Sequence, residues 1–207
     1  MPLTSPLPSE FKDRCMPPVT VERPSWPPIV GFAAFSGSGK TTLIKAVIQR
    51  LRTLGARVGV IKHAHHNFDV DVPGKDSYEL RKAGAAQTLV GSKTRWALMT
   101  ELHGAPEPTL DELVVQLSLT ELDLIIVEGF KYAAIPKLEV HRANIGAELL
   151  FPSDPNIIAL ITDDQTAAQR GTLSALAILD LNDPELVTNF LVKRFDVRVA
   201  NRPVRKP

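Results

Sequence analysis

The chain has 207 residues, 44% of them hydrophobic, enough for one packed domain and not two large ones. Its 24 basic and 23 acidic side chains leave a net charge of +1, so no strong field draws it to nucleic acid or an anionic membrane. The only cysteine, Cys15, excludes an internal disulfide framework and a cysteine-rich zinc site and suits the reducing cytoplasm; no stretch reads as a membrane span or signal peptide.

Residues 1–28 hold eight of the 17 prolines. Proline fixes φ and removes an amide donor, so this stretch is predicted to be a disordered arm. Residues 29–35 form an apolar run of buried-strand length. Leu43, Ile44, Val47, Ile48, Leu51 and Leu54 then recur at helical spacing, and Gly55 supplies a stop. Residues 57–62 read as the next strand, and 75–83 as a short helix with Asp76 as N-cap. Two strands are predicted at 87–91 and 95–100, around a turn at 92–94. Thr109 and Glu112 have the spacing of a capping box, opening a helix with Leu110, Leu113, Val114 and Leu117 on one face. Residues 122–127 make a strongly apolar strand; 137–141, 157–161 and 176–179 are weaker strand candidates. Asp183 and Pro184 open a last helix carrying Leu186, Val187, Phe190 and Leu191. Strands alternating with helices over 29–200 imply a single α/β domain, its mostly parallel sheet covered by helices and extended by an antiparallel pair. The polar tail, 201–207, is predicted to be flexible.

The sharpest motif lies between the first strand and the first helix: Ser36-Gly37-Ser38-Gly39-Lys40-Thr41-Thr42. Triphosphate oxygens need several converging backbone N–H donors, and glycines let the chain curl that closely. The helix N-terminus adds unpaired N–H groups and a favourable dipole. In this P-loop reading Lys40 reaches the β- and γ-phosphates, and Thr41 puts its hydroxyl on Mg²⁺. The full pattern wants glycine at position 34, where this chain has Ala34, tolerable if φ stays negative. A dinucleotide-binding Rossmann loop is disfavoured, because Gly37-Ser38-Gly39 runs straight into Lys40. The strand 122–127 is followed by Glu128, at the ligand-binding end of a parallel sheet. Glu128 would hold Mg²⁺ or orient an attacking water, whereas Asp123 begins the strand and faces solvent.

Residues 62–77 mix imidazoles, carboxylates and lysines beside the expected phosphate site. One reading is a segment closing on the γ-phosphate, with Asp69 or Asp71 near Mg²⁺. A second is an anion site for another ligand or a partner, built from Lys62, His63, His66 and Lys75. A third is zinc on His63, His65 and His66, which rarely converge tetrahedrally at such spacing. A solvated loop with no role is the fourth.

The Asn-Lys-x-Asp signature of guanine-reading GTPases is absent. Asp163, just past the strand 157–161, would accept from guanine N1–H and N2–H; a turn or cap aspartate is the alternative, and Asn182 or Asp183 could also touch the base. Spacing alone leaves GTP and ATP open. It also leaves open a P-loop small-molecule kinase, with Asp69 or Asp71 as base and Arg81, Arg95 or Arg142 toward the phosphates.

Taken together, Phe32-Ala33-Ala34-Phe35 leading into the glycine loop, Ile61-Lys62-His63-Ala64-His65-His66, the run from Asp69 to Ala85, and Val127-Glu128-Gly129-Phe130-Lys131 are more specific than any one of them. The combination, spanning about 29–195, resembles the molybdopterin-guanine dinucleotide biosynthesis adaptor family, MobB, with which Ala34 is compatible. The resemblance implies a homodimer that binds GTP with Mg²⁺, hydrolyses it slowly at most, and associates with the guanylyltransferase that joins GMP to molybdopterin. By the same likeness, residues 37–42 hold phosphates and Thr41 and Glu128 serve Mg²⁺. The 62–77 loop would then face the γ-phosphate, a second ligand such as molybdopterin, or the partner.

Overall fold

The computed structural model describes residues 26–64 and 68–199. The arm expected at 1–28 falls outside it up to residue 25, as do His65, His66 and the tail 201–207.

Six strands form one sheet: β1 (Ile29–Ala33), β2 (Val58–Lys62), β5 (Leu124–Glu128), β6 (Lys137–His141), β7 (Ile157–Thr162) and β8 (Ala177–Asp180). Their order is β2-β5-β1-β6-β7-β8, and every neighbouring pair is parallel. β3 (Gln87–Gly91) and β4 (Trp96–Thr100) form a separate antiparallel pair.

Parallel strands covered on both faces read as continuous apolar runs. Accordingly Leu124, Ile125, Ile126 and Val127 of β5 are all buried. On one face α1 (Lys40–Thr53) and α5 (Pro184–Phe195) pack together, setting Val47, Leu51, Val187 and Leu191 on Val30, Ile126, Leu138 and Ile161. On the other, α3 (Leu110–Val114) sets Leu110 and Val114 on Ile61, Ile125 and Val127. α4 (Gln165–Leu173) packs on β7 and β8, so closely that a Cβ at Gly171 would fall 2.6 Å from Ile178 Cδ1.

Several local expectations hold. Thr109 Oγ1 accepts from Glu112 N while Glu112 Oε2 accepts from Thr109 N, closing the capping box of α3. Asp183 caps α5, accepting from Glu185 N at 2.9 Å and Leu186 N at 3.1 Å. Others differ. The N-cap of α2 (Asp76–Lys82) is Lys75, in extended conformation, and Asp76 is the first helical residue. α4 lies where the sequence offered no helix beyond a possible turn or cap aspartate at 163, and its N-cap is Asp164.

β6 is wholly buried although it alternates Lys137, Glu139 and His141 with apolar residues. Buried polar groups need partners. Lys137 Nζ pairs with Asp154 at 2.9 Å and donates to the carbonyls of Lys131 and Ala133. Glu139 accepts from Leu150 N at 2.7 Å and Phe151 N at 2.8 Å; burial pushes its carboxyl up against the pull of those donors.

Candidate functional site

β1 leads through α1 to β2 on one side of the sheet, whereas its neighbour β6 leads to β7 on the other, so the connections diverge between β1 and β6. In open α/β sheets ligands bind at such a reversal, outside the carboxyl ends of the strands. Residues 34–39 link β1 to α1 there. Gly37 and Gly39 take φ of 82° and 84°, the left-handed region that glycine enters without a Cβ penalty. Among described residues other than glycine only His103, Ala175 and Asp196 have positive φ, so Ala34 meets its condition. The first turn of α1 carries no acidic residue and no side-chain cap, which leaves its amides and dipole available to an anion. Ser38 is 3% exposed and its hydroxyl has no hydrogen-bond partner among the described residues.

Glu128 ends β5 in register with Phe32 of β1 and Lys62 of β2. Its Oε1 lies 2.9 Å from Lys40 Nζ and 3.5 Å from Thr41 Oγ1. Lys40, Thr41 and Glu128 therefore meet at one point, from elements far apart in sequence. The pair is shielded, with side chains 20% and 13% exposed.

The other predicted residues are spread over several elements. His63 follows β2; its amide donates to Glu128 O at 2.8 Å, its imidazole pairs with Glu107, and its ring lies 4.9 Å from that of Phe130. Gly129 has φ of 112°, and a Cβ there would fall 2.4 Å from His63 Cβ. Lys62 and Lys75 are exposed, at the end of β2 and the start of α2. Asp69 pairs with Arg81, which also binds Glu101 at 2.9 Å. That hydrogen bond holds the Glu101 carboxyl below its usual range and raises the Arg81 guanidinium. Asp71 accepts from Val72 N and Ser77 Oγ. No contact among the described residues joins Asp69 to Thr41 or Glu128, and none of their His, Cys, Asp and Glu side chains form a group of three able to hold a metal ion. Asp163 lies past β7, its carboxylate on Arg142 Nη1 at 3.3 Å and on Ala143 N at 2.9 Å.

Residues 29–163 match the family described as Molybdopterin guanine dinucleotide synthesis protein B. The chain is 47% identical over 169 residues to the molybdopterin-guanine dinucleotide biosynthesis adapter protein of Escherichia coli (strain K12), covering 80% of this chain and 92% of that one. The protein of the same name from Haemophilus influenzae is 39% identical, over 79% and 87% of the two chains. This chain belongs to the MobB family. The crystal structure of Bacillus subtilis MobB has the same fold, with a TM-score of 0.63 at 25% identity over 81% of this chain and 98% of that one.

Three contacts of this MobB-family site were not read from the sequence. Arg142, just past β6, donates from Nε to Ser38 O at 3.3 Å, beneath the glycine loop. Glu107 reaches His63 from the loop before α3. Lys131 Nζ stands 5.4 Å from the ring centre of Phe35, at the entry to the glycine loop. Each is a lone charged residue outside the helices and strands, where periodicity carries no signal.

Proposed function

We propose that this chain is a Mg²⁺-dependent GTP-binding adapter in molybdopterin-guanine dinucleotide biosynthesis, a cytoplasmic homodimer working beside the guanylyltransferase that joins GMP to molybdopterin. The observation that carries this is the convergence of Lys40, Thr41 and Glu128 at a glycine-lined helix N-terminus. The names of its relatives supply the adapter role and the pathway.

The residues present fit a magnesium triphosphate. Thr41 and Glu128 offer hard oxygen ligands side by side, and the unpartnered Ser38 hydroxyl and the free amides of α1 suit phosphate oxygens. When bound, Mg²⁺ would neutralise charge on the β- and γ-phosphates. Lys40 would leave Glu128 for those phosphates, and Glu128 would turn to the metal or to a water. Asp163 would accept from guanine N1–H and N2–H. Asp69 would have to leave Arg81 to join the metal, so Thr41 and Glu128 are the better-supported ligands. Lys62, His63 and Lys75 would then face molybdopterin or the transferase. The kinase alternative draws less support, since Asp69 and Asp71 are both engaged and neither is presented as a base.

The homodimer is supported by β3 and β4, where Leu89, Trp96 and Leu98 are 66%, 65% and 44% exposed. A two-stranded hairpin is marginal alone, and an apolar surface of this kind suits a protein interface.

Calorimetric titration with GTP and ATP, with Mg²⁺ and with EDTA, tests the reading. Guanine-selective, Mg²⁺-dependent binding with slow turnover is expected, and Lys40→Ala should weaken it more than tenfold in a folded protein. ATP preference with rapid turnover on an added acceptor would replace the adapter with a kinase.

A further inference from the structure

We infer that Arg142 is a positioning residue for base selectivity, holding the Asp163 carboxylate toward guanine and coupling it to the phosphate loop. The inference rests on the proposal that GTP is the ligand and Asp163 meets its base.

Both oxygens of Asp163 are held by consecutive residues. Oδ2 accepts from Arg142 Nη1 at 3.3 Å and Oδ1 from Ala143 N at 2.9 Å. An ionised carboxylate offers about four lone-pair sites, so one on each oxygen remains. That pair of acceptors matches the adjacent N1–H and N2–H donors of guanine. Adenine offers an acceptor at N1 and would oppose it. Holding the carboxylate at both oxygens fixes the direction of the remaining sites, which is what discrimination between bases requires.

The other arm of Arg142 reaches the phosphate loop. Nε donates to Ser38 O, and Nη2 lies 3.2 Å from where a Cβ on Gly39 would stand. Ser38 O and Gly39 N–H belong to one planar trans peptide and point in opposite directions. A grip on the carbonyl therefore aims the Gly39 N–H away from Arg142. A guanidinium carries donors on separate nitrogens of a rigid fork and so serves Ser38 and Asp163 together; a lysine would have to draw both acceptors to a single nitrogen. Ile145 supports the same face, its Cδ1 3.2 Å from where a Cβ on Gly37 would stand.

The test is the ratio of GTP to ATP affinity, measured by calorimetry with Mg²⁺ on the full-length wild type, Arg142→Ala and Arg142→Lys, with thermal unfolding as the check on fold. Arg142→Ala is expected to weaken GTP about tenfold more than ATP, the size of losing one charge-assisted hydrogen bond. Arg142→Lys, which keeps the charge, is expected to lose selectivity by less. In an Asp163→Asn background Arg142→Ala should leave the ratio unchanged. Equal losses for GTP and ATP would reduce Arg142 to a brace of the loop and overturn the inference. So would an unchanged ratio in the folded variants, and should Arg142→Ala not fold, Arg142→Lys decides alone. A wild type without guanine preference would instead remove the GTP reading, and this inference with it.

Discussion

Lys40 and Glu128, 88 positions apart in the chain, meet at 2.9 Å where α1 begins and β5 ends. The contact makes Glu128 a competitor of the phosphates for Lys40 as well as a candidate metal ligand. Glu128→Gln should therefore act in opposite directions with and without metal. Affinity for GTP with Mg²⁺ is expected to fall about tenfold, while affinity in EDTA holds or rises. Paired titrations check this, and equal losses in both conditions would assign Glu128 a purely structural role.

Asp163→Asn replaces one acceptor by an amide donor. Guanine then meets a donor at its own N2–H, whereas xanthine presents a carbonyl at that position. Binding of GTP is expected to weaken about tenfold or more, and XTP to gain on GTP. Competition between the two nucleotides measures it, and a retained guanine preference would move base recognition away from Asp163.

Asp154→Ala would leave Lys137, whose side chain is 3% exposed, with carbonyl partners only. A loss of about 2 kcal/mol at neutral pH is expected in urea unfolding, less than for a fully buried pair because Asp154 is partly exposed. Burial pushes the Asp154 carboxyl up, but donors from Lys137 and Asn156 outweigh it and hold the group below its usual range. A carboxyl lowered in the folded state stabilises above its unfolded pKa, and that contribution is lost as pH falls. The gap between wild type and variant should thus close below about pH 4.

Trp96→Asp places a charge on the exposed face of β4. Light scattering is expected to show a dimer in the wild type and a monomer in the variant, with the six-stranded sheet intact. A monomeric wild type would end the homodimer proposal.

Where side-chain chemistry and period agreed, the fold was legible. The apolar run of β5, the glycine loop and the caps at Thr109 and Asp183 all stand where the residues put them. α4 was missed because it packs through Ala167 and Gly171, whose small size brings the helix close to Leu160 and Ile178 and leaves no apolar stripe to read. β6 looked weak because Lys137, Glu139 and His141 imitate a strand with one wet face; their partners come from loops that no local pattern reveals. Of the candidate site, the meeting of Lys40, Thr41 and Glu128 was legible because a phosphate-loop reading puts those groups at the ends of adjacent elements. Arg142 was legible only as one of three arginines for the phosphates; its contacts with Ser38 and Asp163 were not, because those acceptors come from other parts of the chain.

Gly129 has a mechanical consequence. The peptide after Glu128 gives its carbonyl to the His63 amide, and the bare α-carbon beside it lies where any methyl would strike that histidine. The end of β2 and the carboxylate of β5 are thereby riveted together. A displacement of His63 is therefore transmitted to the strand end whose carboxylate grips Lys40.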